Sequence, residues 1–202
     1  MSCAGKQKLE ICKGATYLNV LRWESATCVF RTITGITKAA PPVISATGHG
    51  VPDGWRVAVT NVLGMTQINA ADNPPKTNQY VKSQLITADT LSLKCVDASG
   101  FGTYTSGGIL RYNLPVDLAG YTARMQVRAS QSDAVILLEL TTANGGIVID
   151  NILKTITITI TATATAAFTF TGGVYDLEMV APGGVVTRLL EGSVVIGEEV
   201  TR

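Results

Sequence analysis

Residues 8–23, KLEICKGATYLNVLRW, predict a β-hairpin with Lys13-Gly14 at its turn. Its natural continuation is distant in the chain, at residues 116–128, VDLAGYTARMQVR. Between the two lies 33–108, which opens with ITGITKAAPPVISATGHG, closes with GTYTSGG, and carries strands and turn residues of its own. A lone hairpin is marginal in water, so the strand-rich segments on either side of this insertion need each other. The expected organisation is a discontinuous outer domain, residues 1–31 plus 112–202, around an inserted domain, 32–111. The expected fold class is all-β: a β-sandwich with an inserted small β-barrel-like domain. A nested layout with close-lying junctions suits a structural part better than a hinged catalyst.

Composition agrees with strands and turns. Only 6% of the 202 residues are aromatic, whereas Thr, Gly, Val and Ile are abundant. Either domain is long enough to bury a core without metal or disulfide help. The formal net charge is +1 and the basic residues are scattered, so no nucleic-acid footprint is present and no nucleic-acid partner is expected. No apolar run approaches the roughly 20 residues that cross a bilayer, and no membrane partner is expected. The N-terminus, MSCAGKQKLE, lacks the apolar core of a secretory signal, which implies synthesis in a cytoplasm.

Period-two alternation recurs along the chain. Tyr121, Ala123, Met125 and Val127 face a core, with Thr122, Arg124, Gln126 and Arg128 facing water. Ile156, Ile158 and Ile160 point inward between threonines and are expected beside the Tyr121–Val127 residues of a neighbouring strand. Tyr175, Leu177 and Met179 alternate with Asp176 and Glu178. The continuous run VILLEL, residues 135–140, predicts a strand covered on both faces. Residues 162–168, ATATAAF, fit one turn of helix or a loop. In the insertion, 43–46, 55–60, 79–87 and 90–96 read as short strands, punctuated by Gly48-His49-Gly50 and Pro52-Asp53-Gly54. Residues 69–78 and 98–108 read as loops.

Chemistry-bearing patterns are sparse. His49 is the only histidine; a catalytic base needs a positioned partner, and beside Asp53 across a tight turn it reads as a structural turn residue. No GxSxG elbow and no phosphate-binding loop occur. Asp133, Glu139 and Asp150 are spread over separate segments, and Asp176 and Glu178, on one strand face, read as solvated surface. Trp23 and Trp55 read as core or interface anchors. Of the four cysteines, none forms a CxxC pair, and one histidine cannot complete a zinc set. They read as reduced thiols, with the alternative that Cys3, Cys12 and Cys28 form intramolecular or intersubunit disulfides outside a reducing cytoplasm. No catalytic residue, metal ligand or cofactor is expected.

The inserted segment resembles a known pattern. ITGITKA, PPVISATGHGVPDGWRVAV, GMTQIN and TADTLSL are similar to a module of tailed-phage structural proteins, itself similar to the first catalytic cysteine half-domain of ubiquitin-activating enzymes, a small β-barrel-like unit. Nothing here resembles an adenylation domain or an active-site thiol motif, and Cys95 matches no catalytic position. The outer segments ICKGATYLNVLRW, DLAGYTARMQVR, LLELTTANGGIVID, TITITITATATAAF and VYDLEMVAPGGVVTRLLEGSVVI resemble the N-terminal domain of the baseplate upper protein family. That resemblance implies a β-sandwich that attaches receptor-binding machinery to a tail. In that family a receptor-binding or fibre-like extension follows; this sequence runs to Arg202 without one, so an adaptor or collar role is expected. The combined expectation is a non-enzymatic component of a phage virion, in the tail, neck, collar or baseplate, partnered by other virion proteins and forming a homo-oligomer. The alternative is a host-receptor or carbohydrate-binding module of the tail.

Overall fold

A computed structural model describes residues 4–198. In chain order the strands are β1 (Gly5–Lys6), β2 (Leu9–Cys12), β3 (Tyr17–Leu21), β4 (Glu24–Thr32), β5 (Gly35–Ile36), β6 (Val43–Ser45), β7 (Arg56–Leu63), β8 (Val81–Thr87), β9 (Thr90–Leu93) and β10 (Ser106–Pro115). They continue with β11 (Thr122–Arg128), β12 (Leu138–Thr141), β13 (Ile147–Asp150), β14 (Thr155–Ile160), β15 (Gly172–Val180) and β16 (Val186–Gly197). Two 3₁₀ turns, Thr66–Ile68 and Thr77–Gln79, and one short helix, α1 (Ala162–Ala166), complete the described elements. The protein is all-β.

The chain divides into two compact units, Met1–Trp23 with Asp117–Arg202, and Glu24–Val116. The inserted unit is thus wider than residues 32–111. The reason is strand pairing: β4 runs antiparallel to β10, from Thr32 opposite Ile109 to Glu24 opposite Pro115. Both flanking strands belong to the insertion, and its entry and exit are cross-strand neighbours.

The outer unit has two sheets. Six strands form one, with β1, β16, β15, β11 and β12 side by side and β2 also on β16; β13, β14 and β3 form the other. The hairpin expected at 8–23 does not form. β2 pairs in parallel with β16, Leu9 opposite Val194, whereas β3 pairs antiparallel with β14, Tyr17 opposite Ile160. The turn after Cys12, with Gly14 at a φ of 72°, carries the chain from one sheet to the other. Each strand therefore gains a longer partner than its sequence neighbour could offer.

Alternation sets the buried faces. Ala123, Met125, Val127, Leu177 and Met179 are buried in the larger sheet, and Ile156, Ile158 and Ile160 in the smaller. β14 is hence not beside β11 but in the other sheet. Tyr121 precedes β11, half-buried, and meets Trp23 edge-on at 5.8 Å. The doubly covered strand expected at 135–140 shrinks to β12: β11 ends at Arg128, pairing starts with Leu138 opposite Val127, and Val135 and Ile136 lie exposed outside the sheet. Thr161 caps α1, its hydroxyl accepting from the Ala164 N–H at 3.2 Å.

In the inserted unit the seven strands follow the order β4, β10, β7, β8, β9, β6, β5. Only Ile33 and Thr34 separate β4 from β5. The Ile33 N–H donates to the Gly108 carbonyl in β10, and the Thr34 N–H to the Ser45 carbonyl in β6. One continuous segment thereby joins both ends of the sheet and closes a small barrel. Its interior holds Ile33, Ile44, Val57, Leu91 and Leu110 around Trp55, which is wholly buried. The Trp55 indole N–H donates to the Asn113 carbonyl at 2.9 Å, satisfying its one polar atom.

Candidate functional site

His49 sits inside the barrel's rim, 1% exposed. Its Nδ1 accepts from the Val51 N–H at 3.0 Å. That assignment leaves Nε2 as the protonated nitrogen, donating to the Thr87 carbonyl at 3.2 Å. Its own carbonyl accepts the Tyr112 hydroxyl at 2.6 Å. Asp53 takes the Leu85 N–H at 2.9 Å and Asp89 the Gly48 N–H at 2.7 Å, so both nearby carboxylates hold backbone. Every polar atom of the ring is committed to the fold, and the ring has no access to solvent.

Cys12 and Cys95 are exposed thiols and Cys28 a partly buried one; Cys3 lies outside the described residues. The Cys28 thiol donates to Asn113 Oδ1 at 3.4 Å and accepts from Arg111 at 3.2 Å. Among the described residues no three His, Cys, Asp or Glu side chains gather in a metal-binding cluster. No helix among them is long and apolar enough to cross a membrane.

The feature that offers binding chemistry is an open groove of about 1000 Å³ on the outward face of the six-stranded sheet. It follows from alternation: with Ala123, Met125 and Val127 inward, Arg124, Gln126 and Arg128 must point out. Strand register then lines up polar side chains across the sheet. One row runs Glu139, Gln126, Asp176, Glu191, Lys6, each opposite the next on adjacent strands. A second runs Thr141, Arg124, Glu178, Arg188.

These side chains hold one another in place. Arg124 donates from Nε to Glu178 Oε2 at 2.8 Å. Gln126 donates to Glu139 at 2.7 Å and accepts from Arg128 at 2.8 Å, and Arg128 also reaches the Asp133 carbonyl at 2.7 Å. Asp176 and Glu191 are like charges on opposed positions, a destabilising pairing by itself. Arg188 lies between them, 3.2 Å from Asp176 and 3.5 Å from Glu191. Beneath the groove, Tyr175 is buried and donates its hydroxyl to the Gln7 carbonyl at 2.9 Å; burial, with Tyr17 adding to it, pushes its pKa up to about 12. Gly192 is required at this point because a Cβ there would collide with the Gln7 carbonyl.

Of the five acidic residues singled out in the sequence, Glu139, Asp176 and Glu178 meet in this groove. Asp133 and Asp150 do not; their carboxylates cap the N–H groups of Val135 and of Ile152 and Leu153. Lys6, Arg188 and Glu191 were not legible as site residues, since they join through β1 and β16, whose places in the sheet no local pattern encodes. Each acidic side chain of the groove faces a guanidinium or an amide donor. The surface supplies fixed, charge-assisted donors and acceptors, suited to reversible polar contacts. No protein-family model matches the chain, and no curated protein sequence matches it.

Proposed function

We propose that the chain is a non-enzymatic structural component of a tailed-phage virion, placed in the tail, neck or baseplate, where it joins repeated parts. The observation that carries this reading is the nested construction: a closed small barrel spliced into a β-sandwich unit, with Glu24 and Pro115 paired at the splice. This accords with the two resemblances, each covering one unit, to tailed-phage structural modules. The commitment of His49 to backbone hydrogen bonds and the mutual pairing of the groove's charges support a role without catalysis. Gold-labelled antibody against the chain, imaged on intact particles, tests the placement. Labelling at a discrete ring or plate is expected, and particles without label would sink the proposal.

The groove favours a second reading, a host-receptor or carbohydrate-binding module. Its size lies within the range of small-molecule sites, and its lining is polar. A glycan array with the wild-type chain and Arg124→Ala separates the two. A saturable hit lost in the variant would favour the receptor reading; no hit leaves the structural one.

A further inference from the structure

The charges lining the groove of the six-stranded sheet are unevenly matched, and the imbalance lies at one end. Two rows mix both signs: Arg124 is paired with Glu178, and Arg188 with Asp176 and Glu191. The next row along the register, Arg128, Val174 and Ser193, holds no carboxylate. Asp133, close by in sequence, turns its own carboxylate onto the Val135 N–H at 3.0 Å. Arg128 is half-buried and has only neutral partners. Nη1 donates to the Asp133 carbonyl at 2.7 Å and Nη2 to Gln126 Oε1 at 2.8 Å, while Gln126 is itself held by Glu139 at 2.7 Å. These two attachments fix the guanidinium plane, and its Nε–H has no acceptor among the described residues. The other cations of the lining are matched: Lys8 pairs with Glu10 at 2.7 Å, and Lys6 stands opposite Glu191. Ser130, Gln131 and Ser193 add neutral donors at the Arg128 end. A pinned guanidinium with N–H groups to spare and no counter-charge receives a planar carboxylate without reorganising.

We propose that the groove takes a saccharide bearing a carboxylate, a sugar acid, with that group on Arg128 and its hydroxyls over the mixed rows. The proposal rests on the carbohydrate-binding reading of the groove. Charge fixes the orientation: Glu139, Asp176, Glu178 and Glu191 repel an anion from the mixed rows and leave it the Arg128 end. Those carboxylates in turn accept hydroxyl groups through charge-assisted hydrogen bonds. A peptide meets the groove on poorer terms. The groove lies on a sheet face, where backbone N–H and C=O groups are used in the ladders, so it offers a peptide main chain no strand edge. It has no exposed aromatic side chain for a proline-rich segment, since Tyr175, the aromatic residue of its lining, is buried. An acidic peptide motif calls for a cluster of free arginines, and Arg124 and Arg188 are already paired. A saccharide needs none of these, because each of its hydroxyls both donates and accepts. Without a ring to stack on the sugar, affinity per site is modest, and repeated copies raise it by avidity.

The test is binding of the full chain to an array of sialylated and uronate-bearing oligosaccharides, each printed beside its carboxyl methyl ester, with the best pair then titrated in solution. The acid is expected to bind at least about tenfold more tightly than its ester. Arg128→Gln, confirmed folded by circular dichroism, should bind acid and ester alike. Arg128→Lys should fall between, since an ammonium keeps the charge but not the planar fork. Lys76→Gln, in the inserted unit, should bind as the wild type does. The ester comparison needs no variant, so it stands even where a substitution disturbs folding. An ester bound as well as its acid, or a preference for the acid that survives in Arg128→Gln, would overturn the proposal. Oligoglutamate bound as tightly as the sugar acid would overturn it too, by making an acidic peptide the occupant. Neutral saccharides bound without preference for acidic ones would remove the sugar acid but leave the carbohydrate reading, whereas an array with no ligand at all would remove both.

Discussion

Tyr112 donates its hydroxyl to the His49 carbonyl at 2.6 Å, with both residues almost wholly buried. The bond ties β10 to the loop of residues 48–50 and closes one end of the barrel. Tyr112→Phe keeps the ring and leaves that carbonyl without a donor. The inserted unit should lose about 1–3 kcal/mol, the usual cost of an unsatisfied buried group. Urea unfolding of the full chain measures it, and an unchanged midpoint would mean that the carbonyl finds another donor.

His49→Asn separates a structural from a catalytic histidine. In sequence the residue reads as a tight-turn position that asparagine fills well. Its burial shows that more is at stake, because the ring bridges the Val51 N–H and the Thr87 carbonyl together. Asparagine is too short to span both, so a loss of about 1–3 kcal/mol is expected in the urea unfolding of the full chain. Gly50→Val should be worse: Gly50 has a φ of 68°, and an added Cβ would stand 3.3 Å from the Tyr112 hydroxyl. An unchanged unfolding midpoint in His49→Asn would reverse the assignment of His49 as a structural residue.

Ile158 and Thr159 are neighbours with opposite fates. Ile158 is wholly buried, so Ile158→Ala should cost about 2–5 kcal/mol through lost transfer energy and a residual cavity. Thr159 points outward and is only partly covered, and Thr159→Ala should cost less than about 0.5 kcal/mol. Thermal melts of the two variants check the pair. Equal losses would show that the smaller sheet is covered on both faces in solution.

What the sequence made legible follows from the range of the interaction. Alternation at Ala123, Met125 and Val127, or at Ile156, Ile158 and Ile160, is local, and it assigned the buried faces correctly. Turn chemistry at Gly48, Gly50 and Gly54 marked loops that the barrel uses. Pairing is not local. The 8–23 segment looks like a hairpin because two alternating runs flank a Lys-Gly turn, yet β2 binds β16, some 185 residues away through Lys13 and Glu198 at their ends. The same blindness shortened the insertion, since β4 and β10 are paired neighbours in the sheet but lie at opposite ends of the inserted segment in sequence. The groove suffered most. Its acidic residues were visible singly, but their meeting with Arg188 and Lys6 depends on sheet order. The run at 135–140 forms a strand only from Leu138 onward, for the converse reason: its composition favours a strand throughout, but β11 stops before Val135 and Ile136 could pair.

Tyr175 gives the chain a stability loss at alkaline pH with a defined sign. Burial raises its pKa to about 12 in the folded protein, against about 10 in an unfolded chain. Below pH 10 the hydroxyl is protonated in both states, so the full contribution is present. Between about pH 10 and 12 the unfolded chain releases a proton that the folded one retains, and stability falls as pH rises through that window. Burial also raises Tyr17 and Tyr112, so the wild-type decline sums several groups. Tyr175→Phe isolates one. It should flatten the decline above pH 10 while costing some stability at neutral pH, because the Gln7 carbonyl loses its donor. Denaturant midpoints of both proteins, taken from pH 8 to 12 beside the tyrosinate absorbance, provide the measurement. A variant whose midpoint falls as steeply as the wild type's would show that Tyr175 titrates alike in both states and that the wall beneath the groove is open to water.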